Sequence, residues 1–270
     1  MKIVKVCAAF FLALQVSCSA YSDKLTPVIE KMINQKTVDT RDLKSIDSLD
    51  DLQKLRNSMY AYYGYKFKNQ ELTAYFQKYK WYKPQYGNVE SKLTAMDKSS
   101  IECILYAEIK LKREALMRRP NSDFASALSE NEKQLVGIWQ SFPHMASGWN
   151  VTYAFYPARN VIYRTSQMDG ETRLLAKIGH WKIIGSKLHI EYCAKEIREG
   201  GTMVPAYASY ASDFVLEGAV PVLVELKPVE VEEFEISKID KDIDPDSNHY
   251  MMVLFDGSRK WRLRENPEDY

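Results

Sequence analysis

The chain has 270 residues, of which 46% are hydrophobic and 27% charged, a composition typical of a globular protein with a substantial buried core. Its 37 basic and 36 acidic residues give a net charge of +1, which excludes a bulk electrostatic affinity for nucleic acid. The 11 glycines and 10 prolines exclude a collagen-like or low-complexity chain.

The N-terminus has the pattern of an export signal. Two lysines in residues 1–5 precede an apolar run over residues 6–16 that only Gln15 interrupts. This run is shorter than the about 20 residues that a membrane span requires, so we expect a signal peptide over residues 1–17. Residues 14–18 resemble a bacterial lipobox, which implies that Cys18 becomes the lipidated first residue of the mature chain. Ordinary cleavage after Ala20 is the alternative.

Three helices are predicted in the next part of the chain, after a tether or accessory helix over residues 18–46. The first begins at Ser48, which has capping-box spacing to Asp51, and ends at Gly64. A second helix follows Asn69. The third and longest begins near Thr94 or Asp97 and ends before Pro120.

The pattern changes after residue 120, where we predict a linker over residues 120–132 and a β-domain over residues 133–266. Short strands separated by turn signals indicate a small antiparallel barrel or sandwich. The predicted strands are 137–142, 150–156, 161–167, 173–184, 187–193, 213–216, 222–239, 250–255 and 260–264.

Residues 55–67, with the sequence LRNSMYAYYGYKF, resemble the YARHG domain of exported bacterial proteins. The resemblance covers about residues 47–115 and implies a small helical domain over residues 47–119. Tyr62 and Tyr63 replace the Arg and His of the family's five-residue motif. The replacement implies that any chemistry of that pair is lost, which favours a protein without catalytic activity.

The second half resembles a lipocalin-like β-barrel at three places. Gly137-Ile138-Trp139 matches the G-x-W of a first barrel strand, Gly179-His180-Trp181 a middle hairpin, and residues 260–263 a closing strand. The resemblance implies an α+β chain of two domains, a YARHG-like helical module followed by an antiparallel lipocalin-like barrel. Such a barrel is either filled by side chains or holds one small ligand.

Eleven aromatic residues lie between Tyr60 and Tyr86, where they either build the core of a small domain or form a surface for ligands. Positions at helical spacing favour the core. Tyr62, Tyr63, Tyr82 and Tyr86 are less constrained and are candidates for ligand or partner contact. The residues that we expect to contact cell-wall glycan or a protein partner are Tyr62, Tyr63, Trp81 and Tyr82. In the β-domain we expect Tyr207 and Tyr210 in a loop at the barrel mouth.

Patterns for catalysis and metal binding are weak. The sequence contains no H-E-x-x-H and no G-x-S-x-G motif, and residues 240–246 fit an acidic hairpin loop better than a calcium loop. Asp97, His144 and His180 are candidates for an active site only if a cleft gathers them. Cys103 and Cys193 form one disulfide or, as we favour, two separate thiols.

These observations together predict a lipid-anchored protein of the bacterial envelope with no cofactor, no metal and no nucleic-acid partner. Its expected function is non-catalytic binding of cell-wall glycan, an envelope protein or a small apolar ligand in the barrel. The alternative is a purely structural or assembly protein with a filled barrel, and an enzyme ranks third. We expect it at the outer membrane or cell surface rather than free in the periplasm.

Overall fold

The computed structural model describes residues 24–119, 121–142, 149–206, 212–236, 238–240, 251–253 and 259–269, with backbone alone at 238–240, 251–253 and 269. Several predictions lie outside the described residues: those for Cys18, His144, Tyr207, Tyr210 and most of the acidic stretch.

Four helices form the first part of the chain: α1 (Thr26–Ile33), α2 (Leu49–Tyr62), α3 (Gln70–Gln77) and α4 (Ala95–Met117). The last three begin at capping residues of the kind the sequence indicated, Ser48, Asn69 and Thr94. Each side chain accepts hydrogen bonds from backbone N–H groups of the first turn, which would otherwise lack partners. None of the described helices is long and apolar enough to cross a membrane.

Helix α1 belongs to the helical core. Leu25, Ile29 and Met32 are almost fully buried, and the same cluster includes Val38, Leu43 and Ile46 from the connection to α2. The part of the predicted tether or accessory helix from Leu25 onwards therefore packs as core of the helical part.

Nine antiparallel strands form a single sheet. They are β1 (Gly137–Gln140), β2 (Thr152–Phe155), β3 (Asn160–Arg164), β4 (Leu174–Ile184), β5 (Lys187–Pro205), β6 (Phe214–Glu235), β7 (Lys238–Asp240), β8 (Met251–Val253) and β9 (Arg259–Arg264). Their order is β6-β5-β4-β3-β2-β1-β9-β8-β7. Each strand lies beside its neighbour in sequence, and the first pairs with the last. The exception is the pair β6 and β7, which do not pair with each other in the described part of the chain. The sheet is therefore not closed into the expected barrel, although the fold is α+β as predicted.

The sheet is nevertheless strongly curved. The rings of Tyr153 on β2 and Phe234 on β6 lie 6.5 Å apart, although three strands separate β2 from β6. In a flat sheet these two strands would be about 19 Å apart, at a spacing of about 4.8 Å. The sheet therefore folds over the face that carries these rings.

Side chains alternate between two faces of the sheet. The face inside the curve, here called the tryptophan face, includes the fully buried side chains of Trp139, Phe155, Trp181 and Tyr192. The opposite face carries smaller residues, Ile138, Ala154, Ile162, Ala176 and Ile178, and the end of α4 packs against it through Leu116 and Met117.

Helix α4 thus joins the two parts of the molecule. Its first half contributes Ile101 and Ile104 to the helical core, and its last turns cover the sheet. Between these contacts, Arg113 forms an ion pair of 2.6 Å with Glu196 on β5, and both side chains are largely buried. Strands β5 and β6 also pair along 19 and 22 residues. β5 extends well beyond the predicted 187–193, and β6 joins the predicted strand 213–216 to most of 222–239 in one strand that packs against α4.

The segment predicted as a linker folds onto the sheet. A 3-10 turn (Ser122–Phe124) buries Phe124, and helix α5 (Glu130–Leu135) begins with a capping box between Ser129 and Glu132. The buried Glu132 carboxylate accepts two hydrogen bonds from the Arg159 guanidinium, at 2.6 and 2.9 Å. This pair fixes α5 to the turn between β2 and β3.

Candidate binding surface

Gly64 sets the geometry of the aromatic segment. Its φ of +84° is a left-handed conformation, and a Cβ at this position would lie 2.7 Å from the carbonyl oxygen of Lys83. The Gly64 carbonyl accepts hydrogen bonds from the N–H groups of Gln85 and Tyr86. The chain after α3 is thereby held against the end of α2, which brings residues 62 and 81 together.

Five half-exposed or exposed aromatic rings form a continuous row, here called the aromatic strip. Its members, in spatial order, are Tyr63, Tyr62, Trp81, Tyr79 and Tyr75, with adjacent ring centroids 5.4, 6.2, 4.9 and 5.8 Å apart. Tyr62 is the most exposed, at 39%, and lies at the last position of α2. The other four rings are partly buried and pack against the helical core, so the row offers ring faces only where it is exposed, with Tyr62 as its most accessible member.

Two lysines flank one end of the strip. The Lys78 ammonium nitrogen lies 3.9 Å from the Tyr75 ring centroid, and that of Lys54 lies 5.2 Å from the same centroid. These cation–π contacts place positive charge beside the Tyr75 ring, although the charge of Lys54 is offset by its ion pair with Asp50. The surface at this end therefore favours an uncharged or negatively charged ligand.

Tyr63 is anchored to the beginning of α4. Its hydroxyl donates a 2.9 Å hydrogen bond to Oδ2 of the buried Asp97, which also accepts from the N–H and hydroxyl of Thr94. Partial burial, together with the Asp97 carboxylate, raises the pKa of Tyr63 to about 12. The hydroxyl therefore stays protonated and joins α2 to α4, so Tyr63 offers the strip mainly its ring.

Tyr82, which the sequence analysis grouped with the contact residues, lies in the core. It is 5% exposed, packs with Phe67 and Phe76, and donates a hydrogen bond of 3.0 Å to the Tyr65 carbonyl. Tyr75 and Tyr79 were not predicted as contact residues, because their helical spacing indicated core positions. Both are only half-buried, since α3 ends at Gln77 and leaves their rings at the rim of the core.

The tryptophan face of the sheet is filled by its own side chains. The Phe155 and Trp181 rings lie 5.2 Å apart, and Tyr153 stacks on Phe155. Lys177 lies toward the edge of this face, with ion pairs of 2.5 Å to Glu230 and 2.7 Å to Glu232. This packing resembles a solid core more than a ligand site.

The candidate catalytic residues lie in separate elements. Asp97 caps α4, and His180 on β4 packs beside the Phe124 ring, where burial lowers the pKa of the imidazole. Cys103 on α4 and Cys193 on β5 are both free thiols. Within the described ranges, no three His, Cys, Asp or Glu side chains are grouped closely enough to hold a metal ion.

Comparison with known families supports the helical part. Residues 26–108 match the model of the YARHG domain, a domain of extracellular and envelope proteins. The match begins at α1, in agreement with the place of that helix in the core. It covers less than a third of the chain. No curated protein and no solved structure matches the sequence.

Proposed function

We propose that this chain is an exported, lipid-tethered protein of the bacterial envelope that binds cell-wall glycan without chemical conversion. The aromatic strip is the observation that carries this proposal. Sugar rings present flat C–H faces that stack on aromatic rings. The Tyr63 hydroxyl is bonded to Asp97 and the Tyr75 and Tyr79 hydroxyls to each other, so the strip would bind mainly through its rings. The lysines at the Tyr75 end suit the carboxylate groups that cell-wall polymers carry.

Lipid attachment at Cys18 supports the same setting. The lipobox-like residues 14–18 and the YARHG domain both belong with export, and a fully processed lipoprotein with several acyl chains is held stably at a membrane. The tether would keep the helical domain close to the glycan network. The protein would then act as an anchored receptor at the outer membrane or cell surface.

For the second half of the chain, the packing of the tryptophan face favours the alternative of a filled, supporting barrel over a carrier of a small apolar ligand. We propose that the sheet closes between β6 and β7 into a lipocalin-like barrel. The circular strand order and the pairing of β1 with β9 support this closure.

Sedimentation of the chain over residues 19–270 with purified cell-wall sacculi tests the binding proposal. Tyr62→Ala removes the most exposed ring of the strip, and we expect binding to weaken by about 1–2 kcal/mol, about five- to thirtyfold. Tyr86→Ala is the matched control, because Tyr86 is equally exposed, at 41%, but its ring lies under Lys92 and outside the strip. Equal binding by the wild type and Tyr62→Ala, or an equal loss in the control, would contradict the proposal.

A further inference from the structure

A second surface lies along α4, in the helical part of the chain. Between α4 and the connection from α1 to α2 runs a groove of about 760 Å³, here called the α4 groove. Its apolar side chains are Leu43 and Ile46 on one wall and Cys103, Ala107 and Leu111 on the other. Charged side chains also line it, among them Lys44, Glu102 and Lys110. The α4 residues recur at intervals of three and four, so the groove follows one face of the helix.

The dimensions of the α4 groove select the kind of occupant. Its lining runs along α4 from Ser99 to Glu114, about 22 Å at a rise of 1.5 Å per residue. An extended chain that lies along α4 matches this length.

Hydrogen bonding distinguishes a hydrocarbon chain from an extended peptide. The α4 wall is a helix, whose backbone N–H and C=O groups within the turns are already bonded to each other. A peptide in the groove would find few backbone partners for its own polar groups, and each unpaired buried group is costly. A saturated acyl chain has no such groups, and the apolar lining favours its burial.

The position of the chain entry identifies a source for such an acyl chain. Lys24, the first described residue, forms ion pairs of 3.1 Å with Asp47 and Asp51, and Asp47 lines the α4 groove. Only five residues separate Lys24 from Cys18. Six extended residue steps reach at most about 20 Å, so a lipid on Cys18 stays within that distance of Lys24 at the groove mouth.

We infer that the α4 groove holds one acyl chain of the protein's own N-terminal lipid, an inference that rests on the proposed lipidation of Cys18. Burial of one chain shields it from water and removes it from the membrane anchor. The same contact would restrict the chain between Cys18 and Lys24 and hold the helical domain close to the lipid. The groove thereby links the state of the anchor to the position of the aromatic strip.

Protection of the Cys103 thiol measures occupancy of the groove, because Cys103 lines it and is half-buried. All chains carry Cys193→Ser, so that Cys103 alone reacts with a maleimide. The first chain is full-length, exported and processed, with the lipid on Cys18 verified by its mass. The second covers residues 19–270 and has no lipid, and both are measured in the same vesicles of phosphatidylethanolamine and phosphatidylglycerol.

We expect Cys103 to react at least tenfold more slowly in the lipidated chain than in the lipid-free chain. Equal rates with the lipid present on Cys18 would overturn the inference and leave the proposed anchor intact. Equal protection of the lipid-free chain by the vesicles would also overturn it, because the groove would then take chains from other lipids. A mass without lipid would refute the anchor itself, and with it the inference.

Groove filling provides a second readout that does not depend on the thiol. Ala107→Phe places a ring in the α4 groove, and Ala115→Phe makes the same change at an exposed position of the same helix. For the lipidated chain we expect Ala107→Phe to increase the fraction bound to vesicles severalfold, because the displaced acyl chain returns to the bilayer. Unchanged partition in Ala107→Phe, or an equal increase in Ala115→Phe, would contradict the inference.

Discussion

At the scale of single residues, Gly64 decides which aromatic side chains reach the surface. Its left-handed turn holds the backbone of residues 83–86 against the end of α2, so that Tyr82 is buried in the core and Trp81 lies partly exposed at its rim. Aromatic residues this close in sequence cannot be assigned to surface or core by composition. The turn geometry that separates them depends on contacts between segments about twenty residues apart.

Gly64→Ala is expected to destabilise the protein and weaken glycan binding. The left-handed backbone costs a residue with a Cβ about 1–2 kcal/mol, and the contact with the Lys83 carbonyl adds to this cost. Thermal unfolding measures the loss. Gly87→Ala is the matched control, since nothing lies within 4 Å of a Cβ at that position. Equal melting temperatures for the two variants would contradict this role of Gly64.

The Glu132–Arg159 pair is the strongest buried electrostatic contact among the described residues. Burial alone would raise the pKa of Glu132, but hydrogen bonds from Arg159, the Ile183 N–H and Ser129 outweigh it and lower the pKa to about 2. A carboxyl group with a lowered pKa stabilises the folded state above its unfolded pKa of about 4.5. That contribution is lost as the pH falls from about 4.5 toward 2.

Glu132→Gln should therefore reduce stability at neutral pH and flatten its decline between about pH 4.5 and 2. The variant leaves the buried Arg159 guanidinium without its counter-charge, a loss of about 3–5 kcal/mol for a pair of this kind. Denaturant unfolding at several pH values measures both effects. Glu130→Gln, at an exposed position in the same helix, should keep the wild-type profile. If Glu132→Gln kept the wild-type dependence of stability on pH, the loss of stability between pH 4.5 and 2 could not be assigned to Glu132.

At the scale of elements, α4 is the connection on which the two parts depend. Its buried residues lie on more than one side, because the helical core and the sheet contact different turns of the same helix. Arg113 lies where these contacts meet and pairs with Glu196. The helix thus couples the helical part of the chain to the sheet through its own side-chain contacts.

Arg113→Met should lower the free energy of unfolding by about 3–5 kcal/mol, because it leaves Glu196 buried without a partner. Arg118→Met is the control: Arg118 is 79% exposed, and its pair with Glu114 should contribute less than about 1 kcal/mol. Chemical denaturation of both variants gives the comparison. A similarly small loss of unfolding free energy in both variants would indicate that the Arg113–Glu196 pair contributes little to stability.

The elements also show how far the sequence predicts the fold. The boundaries of α2, α3 and α4 follow from local capping residues, and the positions of most strands follow from short alternating runs and turns. The full length of β5 and β6 did not follow from the local sequence pattern. Gly200 and Gly201 lie within the paired hairpin, where both adopt positive φ, in a stretch where no strand was predicted. Their pairing depends on a partner strand that local patterns do not reveal.

At the scale of the whole molecule, a curved sheet supports a helical domain whose surfaces differ in character. The aromatic strip offers rings beside lysines, the α4 groove combines apolar and charged side chains, and the tryptophan face carries packed aromatic rings. The resemblance to the YARHG domain indicated the helical part, but the strip and the groove arise from packing between segments distant in sequence. We propose that the helical part binds the ligand and that the sheet supports it.

The central claim, that glycan binds the aromatic strip, is tested most directly by NMR of the indole N–H groups in the chain over residues 19–270. The five tryptophans give five signals, and Trp81→Phe identifies that of Trp81. On titration with soluble cell-wall glycan fragments, the account predicts a saturable shift of the Trp81 signal alone, with the buried Trp139 and Trp181 unchanged. An unmoved Trp81 signal, or a shift confined to Trp139 or Trp181, would contradict it.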